Sequence, residues 1–282
     1  MIVNHIAAFT NGPHGGNPAG VVICEALPDA GSMQAVAAKV GYSETAFAAP
    51  VEDRWRVRYF APEVEVDFCG HATIAVGAEL AKREGSGCFV LELNRAQITV
   101  DGHHSTDGWG ASFLSPPTHS RDVSGAIMNE ALALFGLTQT DLDERIPPAI
   151  ANAGMDHLVL ALRDRGTLSA MRYDLDQGRD LARRNGIVTF SLLYTETPQL
   201  FHARNPFPIG GVYEDPATGA AAAALAGYLR DLEWRHQGPI VIRQGEDMGA
   251  PCNLRIEVAE QPGAPVRVSG SVRSIHAGAA LA

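Results

Sequence analysis

Asp67-Phe68-Cys69-Gly70-His71-Ala72-Thr73 and, about half the chain later, Glu214-Asp215-Pro216-Ala217-Thr218-Gly219-Ala220 each lead into a helix that is apolar nearly all round. The first runs through Ile74-Ala75-Val76 to Arg83, the second through Ala221-Ala222-Ala223-Ala224 to Leu229. A helix without a polar face has to be enclosed on every side. Aligning Cys69-Gly70 with Thr218-Gly219 also aligns Leu80 with Leu229, so the two segments read as an internal repeat. The expected architecture is two similar halves, each with strands wrapped round one buried helix.

Strands are expected at Ile2–Phe9, Ala19–Cys24, Tyr42–Phe47, Trp55–Tyr59, Cys88–Leu93 and Gln97–Val100 in the first half. Ser32 is placed to cap a helix over Met33–Val40 that Gly41 ends. Ser115-Pro116-Pro117-Thr118 breaks the pattern, so the halves are drawn as 1–117 and 118–282, with a final strand near 270–282 able to return to the first. In the second half, helices are expected near Ile127–Phe135 and Gln177–Arg184. The latter ends at Gly186. Strands are expected at His157–Leu162, Ile187–Tyr194, Ile240–Arg243, Leu254–Val258 and Val266–Val272. Pro216 suits the first turn of the second buried helix, where its missing N–H is not needed.

The 282 residues are 46% hydrophobic and 19% charged, with a formal net charge of −10. Such a chain has no basic field for nucleic acid or an anionic membrane, and its longest apolar run is too short to cross a bilayer. The four cysteines form no CxxC pair or zinc spacing, which suits reduced thiols, a cytoplasmic location and no metal. No signal peptide is read at the start.

A helix start presents backbone N–H groups that no helical partner satisfies. A glycine there lets a ligand approach closely, so Gly70 and Gly219 are candidates for holding a small carboxylate. The alternative is that both glycines serve helix–strand packing. Glu44 starts the apolar strand Thr45-Ala46-Phe47 and suits a proton-transfer role, or it is a solvated strand-end glutamate. After Gly186 the matching position is Thr189, so only one half supplies an acid. His71 is placed to hydrogen-bond a substrate or Glu44, or to cap its own turn. Asp215 either acts in the site or caps the helix. Cys69 is either a reactive thiolate at a helix start or an inert buried thiol.

Together these segments resemble the phenazine-biosynthesis isomerase (PhzF-like) family, which shares its fold with diaminopimelate epimerase. The resemblance rests on Gly16-Asn17-Pro18-Ala19, Ser43-Glu44-Thr45-Ala46-Phe47, Asp67 to Thr73, Glu214 to Gly219, and Gln244-Gly245 through Met248-Gly249, in that order. It implies an α+β fold of two pseudo-symmetric domains, each a curved, mostly antiparallel sheet or barrel around a central buried helix, with the active site in the cleft between them. It further implies a homodimer, no cofactor, and isomerisation by proton transfer. It assigns catalysis to Glu44, with supporting roles for His71 and Asp215. Substrate binding falls to Asn17, Cys69, Gly70, Thr218, Gly219 and Ala220.

Two departures narrow the reading. The phenazine enzyme has a serine after Thr-Gly, and here Ala220 stands there. The epimerases use two facing cysteines. Cys69 matches the first, whereas Thr218 stands at the second. The leading expectation is therefore an isomerase for a small carboxylic or amino acid. The alternatives are an epimerase, racemase or dehydratase using Cys69, and a non-catalytic binding protein.

Overall fold

The computed structural model describes residues 1–106 and 108–275, so residues 276–282 of the expected returning strand lie outside the described residues. The chain divides into two compact units. The first holds Met1–Leu114, Gly249–Asn253 and the stretch from Ser269, and the second holds Ser115–Met248 and Leu254–Val268.

The first unit runs β1 (Asn4–Ala8), β2 (Asn17–Ile23), α1 (Ala30–Val40), β3 (Glu44–Val51), β4 (Arg54–Phe60), β5 (Glu65–Val66), α2 (Gly70–Glu84), β6 (Gly87–Glu92), β7 (Gln97–Ser105) and β8 (Gly108–Leu114). Its strand order is β1-β2-β3-β4-β6-β7-β8. The late strand β16 (Val266–Ser274) pairs with both β8 and β1 and closes an eight-stranded barrel. Helix α2 packs against β1, β2, β3, β6, β7 and β8. Residues His71 to Ala78, Leu80 and Ala81 are buried. Enclosure by a barrel is the physical reason that α2 has no polar face. The fit is close: a Cβ on Gly102 would fall 2.2 Å from the Gly77 carbonyl oxygen.

The second unit runs β9 (His119–Asp122), α3 (Gly125–Leu134), β10 (Ala149–Asn152), β11 (Asp156–Leu162), α4 (Arg165–Ser169), α5 (Leu175–Asn185), β12 (Thr189–Thr197), β13 (Leu200–Arg204), α6 (Gly219–Asp231), β14 (Ile240–Gln244) and β15 (Cys252–Val258). These strands join in sequential order through to β16. Alternation along the strands separates two faces. Leu158, Leu160, Leu162, Phe190 and Leu192 pack with residues of α3 and α5 in one apolar cluster, each worth about 1.5–3 kcal/mol of burial. Helix α6 packs against β9, β10 and β11 and is buried from Ala221 to Leu229.

The repeat is structural as well as sequential. β2 and β3 are parallel with α1 between them, and β11 and β12 are parallel with α5 between them. Both helices end on a left-handed glycine, Gly41 at φ 73° and Gly186 at φ 65°. β4 and β13 each run antiparallel to the strand before and parallel to the next large strand. The fold is α+β, as the resemblance implies.

Several local expectations change. Asp29, not Ser32, is the N-cap of α1, and its carboxylate accepts from the Ser32 N–H at 3.0 Å. Pro216 lies before α6 rather than in its first turn, because the helix begins at Gly219. β7 continues to Ser105, and β8, β9, β10 and β13 are additional strands.

Candidate functional site

The expected residues fall into two groups, one in each unit. In the first, the Gly41 cap releases the chain straight into β3, which Glu44 opens. The parallel register sets Glu44 opposite Ala19, two residues after Asn17, which is buried. Helix α2 begins at Gly70, with Cys69 as an extended N-cap that makes no side-chain capping bond. His71, the second helical residue, reaches three groups. Its Nε2 lies 3.4 Å from Glu44 Oε2 and 3.3 Å from Ser43 Oγ, and its Nδ1 lies 3.3 Å from Cys69 Sγ. The His71 side chain is 6% exposed and that of Glu44 is 19% exposed, so of the ionisable groups Glu44 and His71 the carboxylate is the more open to a ligand, beside the exposed Ser43.

A buried relay lies beneath it. Thr73 Oγ1 donates to the Cys69 carbonyl at 2.7 Å, so it accepts from the Tyr59 hydroxyl, also at 2.7 Å. Burial pushes the Tyr59 phenol far above its ordinary pKa, which keeps it a donor. This chain fixes the backbone where α2 starts.

In the second unit, Thr218 is the N-cap of α6 and likewise makes no side-chain capping bond. Its hydroxyl instead donates to Asp215 Oδ2 at 2.5 Å. Asp215 therefore does not cap α6. Gln244 donates from Nε2 to the Asp215 carbonyl at 2.6 Å and accepts from Thr218 N–H at 3.3 Å. Asp215 N–H donates to Asn205 O at 3.1 Å. Glu214 and Arg204 form a buried ion pair at 2.5 Å. Gly219 opens the helix and Ala220 takes the place that His71 has in α2.

The halves thus share a scaffold and differ in chemistry. Thr189, which opens β12 as Glu44 opens β3, is buried. It is bonded to His157 Nδ1 at 2.7 Å and to Asn205 Oδ1 at 3.2 Å. Ser43, Thr73 and Gln244 belong to motifs visible in the sequence but had no assigned role. Arg204 and Tyr59 had no local signal.

A profile of the phenazine biosynthesis-like protein family matches residues 6–278. The chain belongs to this family. Among curated relatives of this phenazine biosynthesis-like protein, an uncharacterized isomerase of Deinococcus radiodurans is 33% identical over 90% of this chain and 85% of its own. The uncharacterized isomerase YddE of Escherichia coli O157:H7 is 30% identical over 95% and 93%. The chain is thus an enzyme of an isomerase family. A PhzF-family phenazine biosynthesis protein of Bacillus anthracis has the same fold, with a TM-score of 0.86 at 23% identity over 97% of this chain and 96% of its own. A hydroxyproline epimerase of Agrobacterium vitis shares the fold more distantly, with a TM-score of 0.62 at 11% identity over 97% and 88%. No helix among the described residues is long and apolar enough to cross a membrane.

Proposed function

We propose that this protein is a cofactor-independent isomerase that moves a proton on a small carboxylic or amino acid, with Glu44 as the group that carries it. The contact between Glu44 and His71 at the start of α2 supports the reading most directly. A partly open carboxylate beside a buried imidazole can take a proton from carbon and return it to a second carbon on the same face. His71, which Ser43 Oγ contacts in turn, holds Glu44 in position. Backbone N–H groups at Gly70 and Gly219 are the proposed holders of substrate carboxylate oxygens. Asn17, Cys69, Thr218 and Ala220 are proposed substrate contacts, and Asp215 supports the reaction through Thr218. The substitution of Thr189 for a second acid makes the chemistry one-sided and favours isomerisation over racemisation. The same reading takes the protein to be a cytoplasmic homodimer.

The test is solvent-deuterium uptake into a panel of amino and hydroxy acids. Glu44→Gln should lower exchange at least about a hundredfold, in keeping with the contribution of a general acid–base group, without changing the circular dichroism spectrum. Full exchange by that variant would sink the proposal. A second reading, an epimerase or dehydratase using Cys69, rests on the 3.3 Å approach of Cys69 Sγ to His71 Nδ1. It requires substrate-protected inactivation by a thiol reagent.

A further inference from the structure

The side chains at the start of α2 also make a metal-ligand set. One donor atom from each of Glu44, Cys69 and His71 lies within 4.8 Å of the other two. They offer a carboxylate oxygen, a sulfur and an imidazole nitrogen, and zinc takes all three at about 2.0–2.3 Å. Those bond lengths around a tetrahedral ion set neighbouring donors about 3.3–3.6 Å apart. His71 Nε2 and Glu44 Oε2 already stand 3.4 Å apart. Cys69 Sγ stands 3.9 Å from the same nitrogen, a gap that a small rotation of the thiol closes. The fourth position stays open, as in zinc sites that keep an exchangeable ligand. The Ser43 hydroxyl, 3.3 Å from His71 Nε2, is placed to hydrogen-bond whatever fills it.

We propose that Glu44, Cys69 and His71 bind zinc and that the bound ion switches the enzyme off. The inhibitory half rests on the function proposed above, and the binding half does not. Inhibition follows because coordination engages the carboxylate lone pair that would otherwise accept the substrate proton. Cys69 binds as the thiolate, so each ion displaces one proton into solvent and binding tightens as pH rises. No oxidation state changes.

The test uses the full chain, stripped with chelator and titrated with Zn²⁺ against a chromophoric competitor, and loaded in parallel with Co²⁺. The expected result is one ion per chain, about one proton released per ion, and a thiolate-to-cobalt charge-transfer band. Deuterium exchange falls in proportion to zinc occupancy and returns when EDTA is added. Cys69→Ser removes the band and weakens zinc binding by about a hundredfold. His71→Gln gives a second loss if the first variant folds poorly. His104, one of the exposed histidines, serves as the surface control, and His104→Gln leaves binding unchanged. Zinc binding that survives both Cys69→Ser and His71→Gln overturns the proposal, as does a cobalt complex with no thiolate band or the absence of stoichiometric binding. Full exchange with one zinc bound overturns the inhibitory half. Exchange absent from the metal-free chain refutes the isomerase reading instead, and the cobalt spectrum still judges the site.

Discussion

Glu214→Gln keeps the shape of a buried side chain and removes its charge. The Arg204 and Glu214 side chains are only 5% and 2% exposed. Arg204 Nε donates to Glu214 Oε1 at 3.0 Å, and Nη2 donates to Oε2 at 2.5 Å. Arg204 Nη1 donates to the Ser169 and Met171 carbonyls at 2.9 and 3.1 Å. In the variant the guanidinium keeps its proton and stays buried. Stranding one member of such a pair costs about 3–5 kcal/mol. The two carbonyls and the new amide oxygen still accept from it, so the lower end, about 3 kcal/mol, is expected. For a chain of this size that is a fall of about 6–12 °C in melting temperature. Scanning calorimetry on the wild type, Glu214→Gln, Arg204→Met and an Arg204→Met/Glu214→Leu double variant separates the pair from its members. The double variant should recover most of the loss, because an apolar pair needs no counter-charge. A loss below about 1 kcal/mol in Glu214→Gln, the range of exposed ion pairs, would refute the reasoning.

Gly102→Ala should destabilise by about 1–3 kcal/mol through overpacking against α2. Gly87→Ala, which has open space around its position, should change little, and equal melting temperatures for the two variants would count against the packing account. Burial holds the His157 pKa down to about 4 from 6.5. Between those values the unfolded chain binds a proton that the folded chain does not, so this group's contribution to stability is full above pH 6.5 and is lost as pH falls towards 4. The loss amounts to about 3 kcal/mol. His157→Asn should flatten the slope of unfolding free energy against pH in that window, and urea titrations with parallel slopes would contradict this.

The enclosed helices were legible because enclosure leaves its mark on every residue: α2 and α6 have no polar face to misplace. The glycines ending α1 and α5 were legible for a similar reason, since a left-handed cap is a local backbone demand that glycine meets most cheaply. Local capping was ambiguous. Asp29 and Ser32 are both eligible caps, and their mutual hydrogen bond makes Asp29 the cap and Ser32 the donor. Pro216 suited a helix start, yet Gln244 and Asn205 hold the Asp215 backbone in a loop. β13, Leu200-Phe201-His202-Ala203-Arg204, carries two buried ionisable residues. Their burial is tolerable only because Glu196, Glu246 and Glu214 reach them from elsewhere.

The candidate site divides the same way. Sequence alone determined its residue types and its asymmetry, since Glu44 and His71 have Thr189 and Ala220 as counterparts. Only the tertiary structure decided that Ser43, Glu44, Cys69 and His71 meet. That meeting depends on the parallel pairing of β2 with β3 and on a barrel closed by β16 from the far end of the chain. Contacts between residues so far apart in sequence are set by how the chain closes on itself, and no local pattern encodes that closure.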